Sequence, residues 1–260
     1  MHPILFKIGP LELYTYGAFL AFAFLAAIFV ATRAAEREGL DSQFIADLGI
    51  VVILSSIVGS RLFYILFYDL KHTLENPSEL LKFRQTGLVF YGGLVVAVLA
   101  SLLYSRMKRV SIPLILDIGA PSIALGQAIG RIGCLMSGCC FGAPTNVPWA
   151  VHFPFLEHGR HPTQIYESLA TFAIFLMLIR FRKRKTADGQ VAWLYLVLYA
   201  VARFIIEFFR GDNPPLLFGF TLSQLIGIVA LIAAVPLGFL VWRTSGRSGT
   251  DAAPAKSAGK

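Results

Sequence analysis

The stretch "GQAIGRIGCLMSGCCFG" (Gly126–Gly142) decides how this chain is read. It closes an apolar run that starts at Ile112 and is long enough for a bilayer, yet it carries one arginine, five glycines and all three cysteines of the protein. A hydrocarbon core about 30 Å thick takes roughly 20 apolar residues in a helix. Beside the run over 112–133, six others qualify, at approximately 13–32, 44–68, 87–104, 165–181, 190–209 and 221–242. With 56% hydrophobic and only 15% charged residues among 260, the chain is too apolar for a soluble domain of its size. The expectation is an all-α integral membrane helical bundle of about seven transmembrane helices, one domain over residues 1–243, with 244–260 a small, polar, disordered cytoplasmic tail.

The first apolar run exceeds the core of a signal peptide, and its charges, Arg33 and Arg37, follow it, so it reads as an anchor that stays. A net charge of +8 suggests nucleic acid only until the charges are placed. Lys and Arg gather after the first, third, fifth and seventh runs: Arg33 and Arg37, Arg106 to Arg109, Arg180 to Lys185, and Arg243 onward. Such loop asymmetry marks a membrane topology, with the N-terminus outside and the C-terminus cytoplasmic, and no nucleic-acid partner is expected. No repeat of fixed period or pair of matching halves is evident, which weakens a transporter reading.

The outer segment 137–164 holds Pro144, Pro148, Pro154 and Pro162, which break helix, together with Trp149 and three Phe. It reads either as a folded periplasmic cap or as a connecting loop with an aromatic interface anchor.

Charged groups recur where lipid should be. Arg61 stands in "IVGSRLFYILF", Arg131 follows Gln127 by one helical turn, and "ARFIIEFFRGDNPP" puts Arg203, Glu207 and Arg210 on one side of one helix. With Tyr16 and Tyr91 of "FYGGL", five runs direct polar groups to one depth in the outer half of the membrane. A charge at depth costs roughly 2.5–3.5 kcal/mol on insertion scales. Four arginines with one carboxylate in view therefore call for a compensating anion, such as the phosphate of a lipid, which the planar guanidinium fork binds through paired hydrogen bonds. Gly92, Gly93 and the glycines of "GQAIGRIG" let a headgroup or a neighbouring helix come close. Each arginine alone also fits a snorkelling side chain, and Arg203 with Glu207 fits an intrahelical ion pair. Cys134, Cys139 and Cys140 read as apolar fillers, a disulfide or reactive thiols. Their spacing is no standard metal signature, and neither metal nor cofactor is expected.

The motifs "LYTYG", "FYGGL", "GQAIGRIG", "PWAVHFP", "HPTQIYE" and "RFIIEFFR" together resemble the prolipoprotein diacylglyceryl transferases of bacterial inner membranes. The resemblance covers most of the chain, and "GRIG" is its most specific part. It implies a multi-pass enzyme of the inner membrane, with its active site on the periplasmic side, that moves the diacylglyceryl group of phosphatidylglycerol onto the lipobox cysteine of prolipoprotein signal peptides and releases glycerol phosphate. It also places Tyr16, Arg131, Arg203, Glu207 and Arg210 on functional positions. The chain departs from well-studied members at Tyr91, where they carry histidine, and at Cys134 and Cys139, where they carry asparagine and an acidic residue.

Thioether formation needs a thiolate and a stabilised leaving phosphate. Arg131 and Arg203 are the candidates for the second task. For the first, the field of the arginines ranks ahead of His161, and His161 ahead of Tyr91, with Glu207 a further proton acceptor. Lipid contacts are expected from Tyr16, Arg61, Gly92, Gly93, Gln127, Arg131, Arg203 and Arg210. The competing classes are a non-catalytic lipid-binding or lipid-moving protein and a membrane thiol oxidoreductase.

Overall fold

The computed structural model describes residues 4–8, 11–75 and 89–245; the disordered tail expected from 244 onward falls almost wholly outside them. A hairpin of β1 (Ile4–Ile8) and β2 (Leu11–Tyr14) leads into α1 (Thr15–Arg37). Then come α2 (Ser42–Tyr64), a π-helical segment (Ile65–Asp69), α3 (Leu70–Glu75), α4 (Phe90–Met107), α5 (Ile112–Ser137), α6 (Thr163–Arg182) and α7 (Gln190–Glu207). A small hairpin, β3 (Pro215–Leu217) with β4 (Phe220–Thr221), precedes α8 (Leu222–Ser245). The class is all-α and membrane-spanning: among the described residues six helices are long and apolar enough to cross a bilayer, and Tyr91–Met107 of α4 is a shorter apolar helix. The two hairpins were not expected. Their strands are too short to show a period of two, and that of β3–β4 turns on Phe218 and Gly219, both at positive φ.

The chain divides into two compact units, Thr32–Ile115 and the combination of Met1–Ala31 with Leu116–Lys260. In the first unit α2 packs on α4 at very short range. A Cβ on Gly92 would lie 2.3 Å from Cβ of Phe63, one on Gly93 would lie 2.8 Å from the Ser56 carbonyl oxygen, and one on Gly59 would lie 2.5 Å from Cβ of Val96. Small residues that bring helix backbones together are a standard source of cohesion in lipid, where apolar side chains gain little by meeting one another. The Asp41 carboxylate accepts from the Gln43 N–H and caps α2. Phe44 stacks on Tyr104, whose hydroxyl donates to Asp47.

In the second unit Ala120, Ala124, Ile174, Leu178 and Val191 form a buried cluster from α5, α6 and α7. The Trp193 indole N–H donates to the Ala234 carbonyl at 2.7 Å and ties α7 to α8. Asp117 of α5, fully buried, accepts from the backbone N–H groups of Gly189 and Ala192 at 2.9 Å each and pairs with Lys185 at 3.6 Å. It thereby supplies from another helix the cap that the start of α7 lacks in its own sequence.

Candidate active site

The segment 138–162 is folded around an aromatic core of its own. Phe141, Phe153 and Phe155 pack mutually with ring centroids 4.9 to 6.1 Å apart, and the Arg160 guanidinium lies over Phe141. Two backbone ribbons meet at Gly142, whose N–H donates to the His161 carbonyl at 2.8 Å, while the Ala143 N–H donates to the Phe209 carbonyl at 2.9 Å. A Cβ at Gly142 would stand 2.4 Å from the Phe209 carbonyl oxygen, so only glycine fits. This junction brings "HPTQIYE" at the head of α6 against "FFRGD" after α7.

There the charges meet. The Glu167 carboxylate receives Nε of Arg131, one terminal nitrogen of Arg203 and, at 3.3 Å, one of Arg210. Arg203 reaches Glu207 at 2.9 Å and donates to the Ser223 hydroxyl at 3.2 Å. Glu207 also accepts from Asn213 and from the Thr221 hydroxyl. Arg210 forks onto Asp212. Burial works against the charge of Arg210, but its bonds to Asp212 outweigh burial and raise its pKa above the ordinary value. Burial pushes the Asp212 carboxyl up, yet the hydrogen bonds and charge of Arg210 hold it below the ordinary range.

This arrangement corrects the charge argument made from sequence. Arg131, Arg203 and Arg210 have three carboxylate partners, Glu167, Glu207 and Asp212, rather than one. The partners were missed because Glu167 comes from a different helix and Asp212 from the turn beyond α7. A signal was nonetheless present: Glu167 is a lone carboxylate at the head of an apolar run, as anomalous there as the arginines are in theirs.

The three arginines are not equally engaged. The side chains of Arg203 and Arg210 are 15% and 8% exposed, whereas that of Arg131 is 26% exposed. Arg131 meets Glu167 through Nε, and among the described residues its two terminal nitrogens hold no other partner. Beside it a cleft of about 200 Å³ runs between α5 and α6, lined by Ile132, Leu135, Gln164, Ile165, Ser168 and Leu169.

The other residues singled out from sequence are distributed as follows. The Tyr16 ring lies against Gly133, one position before Cys134. Gln127 accepts from the Tyr195 hydroxyl at 2.9 Å. His161 contacts the Tyr166 hydroxyl through Nδ1 at 3.3 Å and packs edge-on to Phe209, and Tyr166 in turn accepts from the Trp149 indole. Arg61, 3% exposed, lies 5.6 Å above the Tyr64 ring, and Tyr91 is exposed at the start of α4. Gly92 and Gly93 serve the α2–α4 contact. These four belong to the other unit. The cysteines are free thiols. Hydrogen bonds from Cys134 first, then from Cys139, with help from Arg131 and Arg210, draw the Cys140 thiol down to about 5 against the effect of burial, while burial foremost raises that of Cys139.

Comparison with known proteins identifies the family. The family model described as prolipoprotein diacylglyceryl transferase matches residues 3–242. A phosphatidylglycerol–prolipoprotein diacylglyceryl transferase of Clostridium tetani is 36% identical over 90% of this chain and 96% of its own. One of Geobacter sulfurreducens is 36% identical over 93% and 95%, and one of Clostridioides difficile 30% identical over 90% and 93%.

Proposed function

Because the chain belongs to the prolipoprotein diacylglyceryl transferase family, we propose that it transfers the diacylglyceryl group of phosphatidylglycerol to the lipobox cysteine of prolipoproteins in the bacterial inner membrane. The sulfur bonds to the glyceryl carbon, the carbon–oxygen bond to phosphate breaks, and glycerol phosphate departs with the electron pair. The thiol proton goes to solvent or to a neighbouring base. The observation that carries this reading is the Arg131 guanidinium, anchored by Nε to Glu167 with its terminal nitrogens open beside an apolar cleft.

A fork so held is preorganised for the phosphate of the donor lipid, and the cleft suits an acyl chain. Arg203 and Arg210, saturated by carboxylates, position Glu167 and through it Arg131. The clamp assigned from sequence to Arg131 and Arg203 together is thus narrowed to Arg131 as the direct contact. A free thiol has a pKa near 8.5, and the positive edge of Arg131 favours its anion without a dedicated base. The active site faces the periplasm, in keeping with the loop charges.

The test is mass spectrometry of a lipobox peptide incubated with purified protein and phosphatidylglycerol vesicles. The expected result is a mass gain of one diacylglyceryl group on the cysteine. An unmodified peptide in the presence of folded protein overturns the reading.

A further inference from the structure

The three cysteines converge although their spacing is not that of a common metal motif. Their sulfur atoms all lie within 4.8 Å of one another, and those of Cys139 and Cys140 are 3.6 Å apart. Three thiolates around one ion with metal–sulfur bonds of about 2.3 Å sit about 3.8–4.0 Å apart, whether the geometry is tetrahedral or trigonal. The cluster is within small side-chain rotations of that triangle.

The backbone is built to hold it. Immediately after α5, Gly138 and then Cys140 adopt positive φ, a conformation that a residue other than glycine takes only when its surroundings impose it. They do so here by three hydrogen bonds. The Cys139 N–H donates to the Cys134 carbonyl at 3.1 Å, the Gln164 amide donates to the Cys139 carbonyl at 2.6 Å, and the Thr163 hydroxyl donates to the Cys140 carbonyl at 2.9 Å. Thr163 and Gln164 are each 1% exposed, so the clamp is buried while Cys139 is open to the surface. Adjacency works against a disulfide between Cys139 and Cys140.

We propose that Cys134, Cys139 and Cys140 form a binding site for one thiophilic d10 cation of the Zn²⁺ and Cd²⁺ type, held by three thiolates with a fourth position open. All-sulfur donors select soft ions. As three metal–sulfur bonds form, the remaining thiol protons leave to solvent and nothing is oxidised or reduced. A divalent ion with three thiolates carries one negative charge, which the neighbouring Arg131 and Arg210 complement. The bound ion pins the last turn of α5 at Cys134, three residues beyond Arg131, to the segment that follows the helix. The proposal stands independently of the transferase reading.

The experiment uses the full chain, purified in detergent, reduced and desalted without oxygen. Titration with Cd²⁺ is followed by the thiolate-to-metal charge-transfer absorbance, and Zn²⁺ binding by competition with a chromogenic chelator. The expected result is one ion per chain, protection of all three cysteines from alkylation, and at least a tenfold loss of affinity in C139S and in C140S. Cys139 is exposed, so C139S keeps the fold testable even where replacement of buried Cys134 does not. Undiminished affinity in C139S and C140S, or no stoichiometric binding by the wild type, overturns the proposal. So does protein taken from membranes without reduction whose mass is two hydrogens short with two cysteines blocked, which identifies a disulfide.

Discussion

Glu167 is where three arginines meet, and its removal tests the site more severely than removal of any one of them. E167Q keeps the shape and leaves Arg131, Arg203 and Arg210 with two carboxylates between them, Glu207 and Asp212. Breaking a buried ionic group by deleting one partner costs about 3–5 kcal/mol, so E167Q is expected to lower the thermal midpoint in detergent and to abolish transfer together. Arg131 is expected to behave differently, since in the proposed reaction its terminal nitrogens take the lipid phosphate. R131K keeps the charge but not the paired donors, and transfer is expected to fall about 100- to 1000-fold, the usual loss of one transition-state donor, with the thermal midpoint little changed. An R131K enzyme working at the wild-type rate would return Arg131 to a purely structural role. Acid acts at Asp212. Its carboxyl is held below the ordinary range, so its stabilising contribution is complete above a pH of about 4, the ordinary carboxylate value, and is lost as pH falls through its folded pKa. The gap in thermal midpoint between wild type and D212N is expected at pH 7 and should close at pH values below about 4.

At the scale of elements, Asp117 shows what a sequence hides. It sits in the apolar run that begins at Ile112, yet its partners Gly189 and Ala192 are 72 and 75 residues away. D117A leaves buried N–H groups without acceptors, at about 1–3 kcal/mol each. It is therefore expected to lower the thermal midpoint measurably while transfer at low temperature stays near wild type. The helices themselves were legible, because a run of apolar residues declares a span with no knowledge of its neighbours. The arginines were legible for the converse reason, as polar interruptions of those runs. What pairs with them was not, since Glu167, Ser223, Asn213 and Thr221 reach the arginines or Glu207 only once α6, α7 and α8 have been assembled. "FYGGL" was legible as a close approach but not as to what approaches, and Gly59 and Phe63 of α2 supply the answer.

For the whole molecule, the basic loops still predict a topology. A reporter fused within Arg182–Lys185, between α6 and α7, is expected to read as cytoplasmic, and a periplasmic reading would put the arginines in the wrong leaflet for the proposed chemistry. One helix also exceeds what a membrane requires. From Ser42 through the π segment to Glu75 it runs for 34 residues, about 51 Å at 1.5 Å per residue, against a hydrocarbon core of about 30 Å. The π segment starts at Ile65, after a stretch of about 35 Å, with Tyr64 and Tyr68 stacked across it and Arg61 over the Tyr64 ring. A stretch of that length already exceeds the hydrocarbon core, which makes the helix a mast with a joint near its top. An extra residue in one turn twists everything above the joint by about 100° relative to everything below. The evolutionary freedom this confers is rotational: a single insertion or deletion at Ile65–Asp69 re-aims the top of the mast while the part below the joint keeps its grip on α4.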